Sequence, residues 1–110
     1  MDLHPKRCPV ALTVSVIGGK WKPTILFNLK DRPRRFNELR RLLPAITQRM
    51  LTLQLRALEN DGIIARSVFD TVPPQVEYAL TDYGATLGPI IEAMQDWGER
   101  HGAARDRPAA

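Results

Sequence analysis

Arg49, Thr52 and Arg56 recur at intervals of three and four within "QRMLTLQLRALEN", residues 48–60, so on a helix they share an outer strip with Leu53. A guanidinium carries a fork of donors that fits O6 and N7 of guanine or a phosphate, and a threonine hydroxyl suits a base or a phosphate. The chemistry such a strip supports is the reading of double-stranded DNA. The plain alternative is an amphipathic helix whose outer face meets only water. Gln48 and Gln54 lie on the flanks of the strip. Leu53 is out of place there: either it meets a thymine methyl or it is merely tolerated.

A second group, Arg32, Arg34, Arg35, Arg40 and Arg41, stands just upstream. Such clustered cations neutralise phosphates without regard to sequence and set a salt dependence. Some of the five can instead lay their stems over apolar surface. Residues 1–60 hold twelve Lys or Arg against four Asp or Glu, whereas residues 61–110 hold four against eight. A basic half beside an acidic half points to a polyanion on one face, with a merely solvated basic surface as the alternative.

The other reactive side chains form no catalytic constellation. Cys8 precedes Pro9 at a helix start, beside Lys6 and Arg7, where a helix N-terminus and nearby cations favour a thiolate. It reads either as a reactive sensor or as an inert, partly buried thiol. His4 and His101 make no ligand spacing with it, so no metal and no cofactor is expected. "GGK" at 18–20 lacks the spacing of a phosphate loop, and Glu92 and Asp96 are explained by an acidic helix face. One cysteine excludes an intramolecular disulfide and suits a reducing compartment. "MDLHPKRCPV" has no apolar stretch after its charges, and nothing approaches the roughly 18 apolar residues of a membrane span. The chain reads as a cytoplasmic protein that is not an enzyme.

The elements that must position these residues follow from periodicity. A chain of 110 residues suits one domain, here 8–101, with a flexible N-terminus over 1–7 and a disordered tail over 102–110. "CPVALTVSVIGG" (8–19) fits strand or helix spacing; Pro9 and Gly18 decide for a helix, with Gly18 as the left-handed residue after it. In "KWKPTILFNLKD" (20–31), Trp21, Ile25 and Leu29 face inward and Pro23 falls in the first turn, leaving Lys20 at the surface within reach of a phosphate. "NELRRLL" (37–43) is a short helix capped by Asn37, with Phe36, Leu39 and Leu43 inward. Thr47 caps the next helix, which buries Leu51, Leu55 and Leu58 and stops at Asp61-Gly62. "IIARSVF" and "VEYALT" then form a hairpin around "DTVPPQ". A long last helix opens at Thr81-Asp82 and is kinked by Pro89. Helix, helix, short helix, helix, hairpin, long helix is the order of a winged helix-turn-helix: a mainly α fold with a small β-hairpin (α+β). The terminal helices present Val10, Val14, Leu87, Ile90, Met94 and Trp97. The last helix either closes its own core or, with the first, builds a homodimer.

The chain also resembles the HxlR-type winged helix-turn-helix transcriptional regulators of bacteria, relatives in fold of the MarR group. The likeness rests on "CP" at 8–9, "GGKW" at 18–21, "RRFNELRR" at 34–41, "ITQRMLTLQLRALENDGII" at 46–64, "VPPQVEYALTDYG" at 72–84 and Trp97. It implies a homodimer joined through first and last helices, binding a pseudo-palindromic operator as repressor or activator. By the same resemblance the recognition helix is 47–60 and the wing is the 70–75 turn. Several members sense quinones, aldehydes or disulfide stress through a cysteine matching Cys8; others carry that cysteine with no sensing role. Two departures stand out. Gln75 replaces a frequent basic residue of the wing, leaving Arg66 as the nearest hairpin cation, and Leu53 replaces a commonly polar residue. The function expected is sequence-specific DNA binding by a transcriptional regulator responsive to oxidants or electrophiles through Cys8. The alternative is a winged-helix protein-interaction module without specific DNA binding.

Overall fold

Leucine at positions 51, 55 and 58 gives one helix a continuous apolar seam, and burying that seam organises the fold. The computed structural model describes residues 8–105. Its helices are α1 (Pro9–Ile17), α2 (Lys22–Leu29), α3 (Phe36–Leu42), α4 (Gln48–Asn60), α5 (Asp82–Ala85) and α6 (Gly88–Arg105). Its strands are β1 (Arg34–Arg35), β2 (Ile64–Phe69) and β3 (Gln75–Leu80). Leu51, Leu55 and Leu58 of α4 are fully buried in one cluster with Ile25, Leu26 and Leu29 of α2, Leu39 of α3, Ile63, Ile64 and Ile91. Each such side chain contributes about 1.5–3 kcal/mol by leaving water.

Both ends of α4 are fixed as its residues suggest. The Thr47 hydroxyl accepts the Met50 N–H at 3.1 Å, and Gly62 takes φ 74°, which a residue with a Cβ rarely adopts. The α1–α2 corner differs in detail from expectation. Gly19, not Gly18, is left-handed, at φ 92°. Gly18 is extended, donates its N–H to the Val14 carbonyl at 2.6 Å, and has no room for a Cβ beside that oxygen. Trp21 packs half-buried against the core, and the Lys20 ammonium lies 4.9 Å from its ring centroid.

The sheet has three antiparallel strands in the order β1-β3-β2. Arg34 pairs with Tyr78 and Arg35 with Glu77 on one side of β3, while Ile64 through Phe69 pair with Leu80 through Gln75 on the other. Strand β1 was not expected, because two arginines carry no β pattern of their own. It also moves the cap of α3: Arg35, not Asn37, precedes the helix, and its backbone N–H donates to the Glu38 carboxylate at 3.1 Å.

The expected long last helix is two helices. Thr81 accepts the Gly84 N–H at 2.9 Å and donates to the Gly62 carbonyl at 2.6 Å, clamping α5 onto the end of α4. The chain then turns at Thr86 and Leu87 before α6 begins. Pro89 therefore lies in the first turn of α6, where its missing donor is not needed, instead of kinking a helix interior. Helix α6 runs on through residues 102–105, which were assigned to the tail. The assignments over 1–7 and 106–110 lie outside the described residues.

Gly84 sits so close to the Ile63 carbonyl that a Cβ would collide with backbone, whereas Gly88 faces open space. Gly84→Ala is expected to cost about 1–3 kcal/mol, lowering Tm by several degrees in thermal unfolding. Gly88→Ala should stay within about 0.5 kcal/mol of the parent. Equal stability of the two variants would refute a rigid contact at Gly84.

Candidate nucleic-acid interface

With its leucine seam buried, α4 must turn the opposite strip outward. Arg49, Leu53 and Arg56 are exposed and Thr52 is half-buried, and with Gln48 they line one shallow concavity. No hydrogen bond or ion pair within the described residues engages either guanidinium. The Thr52 hydroxyl donates to the Gln48 carbonyl at 2.9 Å, so its proton is already committed. Gln54 lies off the strip, half-buried, with its amide nitrogen 3.3 Å from the Met50 sulfur. The structure thus groups five of the expected residues and sets Gln54 aside.

The hairpin of β2 and β3, the wing of this fold, packs against α4 through β2. Gln75 is half-buried at the start of β3, paired with Phe69. Arg66 is exposed on β2 and is the hairpin's cation, facing Tyr78 across the ladder. Burial pushes the Tyr78 phenol above its usual pKa, with Arg66 and Arg56 pulling the other way. It therefore remains neutral at ordinary pH.

The arginine cluster is divided. Arg32 meets the Glu38 carboxylate at 2.8 Å, and Arg34 approaches the same oxygen at 3.8 Å while its Nε donates to the Asn28 carbonyl at 2.9 Å. Arg34, expected to contact phosphate, is instead a largely buried tie between the end of α2 and the start of α3. Arg35, Arg40 and Arg41 are exposed, with no side-chain partner among the described residues. Arg35 and Arg41 line a groove between α3 and the wing with Asn37, Pro73, Pro74 and Gln75. Glu38 was missed at the sequence level, although an acidic residue three places after a helix cap is a recognisable signal. The Arg35 backbone N–H, followed by the Arg32 hydrogen bond, holds its carboxyl below the usual carboxylate pKa.

A third surface lies along α1 and α6. Cys8 caps α1 half-buried, and its carbonyl accepts the Leu12 N–H at 3.0 Å. Val10, Val14, Ile90 and Met94 line one apolar cleft between the two helices. Leu87, half-buried, and Ile90 share a second cleft with Leu12 and Tyr83. Trp97 is 60% exposed and packs against His101, with ring centroids 4.7 Å apart and planes tilted by 42°. Leu12, 51% exposed, belongs to this surface and was missed. The signal was there: "PVALTVSVI" is apolar on every side, as a helix is when it is to be covered on more than one. No helix among the described residues is long and apolar enough to cross a membrane.

Residues 16–106 match the model of the HxlR-like helix-turn-helix family. The chain is 60% identical over 94 residues to the HTH-type transcriptional regulator YdeP of Bacillus subtilis, covering 86% of this chain and 73% of that one. The structure of the redox regulator HypR in its oxidized form is similar at a TM-score of 0.82 and 54% identity, covering 93% of this chain and 100% of the other. Diamide-treated YodB from B. subtilis is similar at a TM-score of 0.70 and 35% identity, over 84% and 93% of the two chains.

The Glu38 ties have a defined pH signature. A carboxyl whose folded pKa lies below its ordinary value of 4.5 stabilises the fold above that value and loses the contribution as pH falls through the folded pKa. Glu38→Gln should therefore be less stable than the parent in urea unfolding at neutral pH, with the difference closing on acidification below the carboxyl range. A difference that persists undiminished in acid would show that charge is not what Glu38 supplies.

Proposed function

The chain belongs to the HxlR-like helix-turn-helix family, and on that premise we propose that it is a homodimeric transcriptional regulator that reads a pseudo-palindromic operator through α4. The observation that carries this reading is the outer strip of α4. Two arginines with no hydrogen-bond or ion-pair partner among the described residues stand seven residues apart on a helix whose other side is locked into the core. In helix-turn-helix proteins the second helix of the motif enters the major groove and the first crosses the backbone. Here α3 takes the first position, and Arg35, Arg40 and Arg41 are suited to phosphates along it. Lys20 and Gln75 are further candidates for backbone contact at the margins. The apolar surface of α1 and α6 supports pairing of two chains through Val10, Val14, Leu87, Ile90, Met94 and Trp97. A two-fold dimer would place two copies of α4 about 34 Å apart, one turn of DNA.

Regulation by oxidants or electrophiles in the cytoplasm is assigned to Cys8. The likeness to a redox regulator and to a diamide-treated relative supports it. Cys8 is the sole cysteine, so any disulfide it forms joins two chains or captures a small thiol. In either case the oxidant, such as diamide, takes up the two hydrogens lost from the thiols. An electrophile would instead alkylate the sulfur directly.

Selection of bound duplexes from random DNA tests the main reading. The recovered operator should bind with a log–log salt slope of about −0.9 per neutralised phosphate. Arg49→Ala should cost about 1–3 kcal/mol, concentrated at one base pair in each half-site. Failure to select any sequence, with a flat salt response, would favour a protein-interaction module.

Release of that operator by diamide or a quinone should disappear in Cys8→Ser, read by fluorescence anisotropy. Unchanged release from the variant would remove Cys8 from the switch.

A further inference from the structure

Leu53 is 47% exposed, the one large hydrophobic side chain that α4 leaves in water. It stands four residues after Arg49 and three before Arg56, in the same shallow concavity. The neighbouring Thr52 has its hydroxyl proton committed to the Gln48 carbonyl at 2.9 Å, so it has no donor left to offer a base. The strip is thus cationic at both ends and apolar, without a donor, at its middle.

We infer that Leu53 is a specificity-determining residue that reads the 5-methyl group of a thymine in the major groove. The inference rests on the proposal that α4 enters that groove. Among the base edges displayed there, the thymine methyl is the apolar feature; the others are hydrogen-bond donors and acceptors. A donor or acceptor placed opposite Leu53 would lose its water and gain no partner. The two arginines select a polyanion as occupant, by charge complementarity. From Arg49 to Arg56 the helix rises about 10.5 Å, the height of about three base-pair steps. The thymine accordingly lies inside the stretch bounded by the two arginine contacts, once in each half-site.

Uracil pairs as thymine does and lacks only the methyl, so it isolates this contact. Operators recovered from random duplex DNA are remade with uracil at each thymine in turn and titrated with the full chain. At one position per half-site the parent should lose about four-fold in affinity, the worth of one buried methyl group, and about sixteen-fold with both half-sites changed. Leu53→Ala, at an exposed position, should fold normally and bind thymine and uracil operators alike. Indifference of the parent to every uracil, with sequence selection intact, overturns the role of Leu53 and leaves the DNA-reading function standing. A uracil penalty that survives Leu53→Ala assigns the methyl to another residue and overturns it equally. If no sequence is selected at all, the function itself fails and the inference goes with it.

Discussion

The burial of three leucines on one side of α4 is the constraint on which the rest depends. A helix has a fixed angular step, so sealing Leu51, Leu55 and Leu58 against α2, α3 and the start of β2 also fixes where every other residue of α4 points. Among the described residues, no hydrogen bond or ion pair of their own steers Arg49 and Arg56 outward. They are outward because the leucines are inward. A register error of one residue in that seam would rotate the strip by about 100° and dismantle the surface without removing a single cation.

Charge is handled differently around α3. Five arginines in a short stretch look interchangeable, yet Glu38 sorts them. By capping α3 and meeting Arg32 and Arg34, one carboxylate turns two cations into structural ties and leaves Arg35, Arg40 and Arg41 exposed. The basic character of a segment therefore overstates the charge available to a partner. What matters is which guanidiniums the fold has already engaged, and that depends on an acidic side chain and a carbonyl six residues away.

The parts legible in the sequence are those governed by local periodicity and by capping chemistry. The order of helices and hairpin, the Thr47 cap, the leucine seam and the stop at Gly62 are all of this kind. What escaped depends on partners distant in the chain. Strand β1 is a strand only because β3 lies beside it, and the cap of α3 shifted to Arg35 because that pairing extends the backbone up to the helix. The short α5 that precedes the break is held by Thr81 on the Gly62 carbonyl and by Gly84 against the Ile63 carbonyl, contacts across some twenty residues. Pattern alone shows a continuous apolar spacing through Tyr83, Leu87, Ile90 and Met94, and that spacing is real. The break changes the direction of the chain without interrupting the list of apolar residues. In the candidate site, the outer strip of α4 was legible for the same reason the seam was, whereas the retirement of Arg34 required the carbonyl of Asn28.

The division at Leu87 also has a mechanical side. Ile91 is the residue that α6 buries in the core, and the helix continues from there to Arg105. Met94 and Gln95, one turn further on, still face Pro23 and Phe27 of α2. Beyond Gln95 the helix runs on for about 15 Å to Arg105. For a rigid rod of that length, a tilt of about 10° at its root would carry the far end by about 2.6 Å. The length of the last helix thus sets a mechanical ratio: a small change of angle where it meets α2 would translate into ångström-scale travel at its tip.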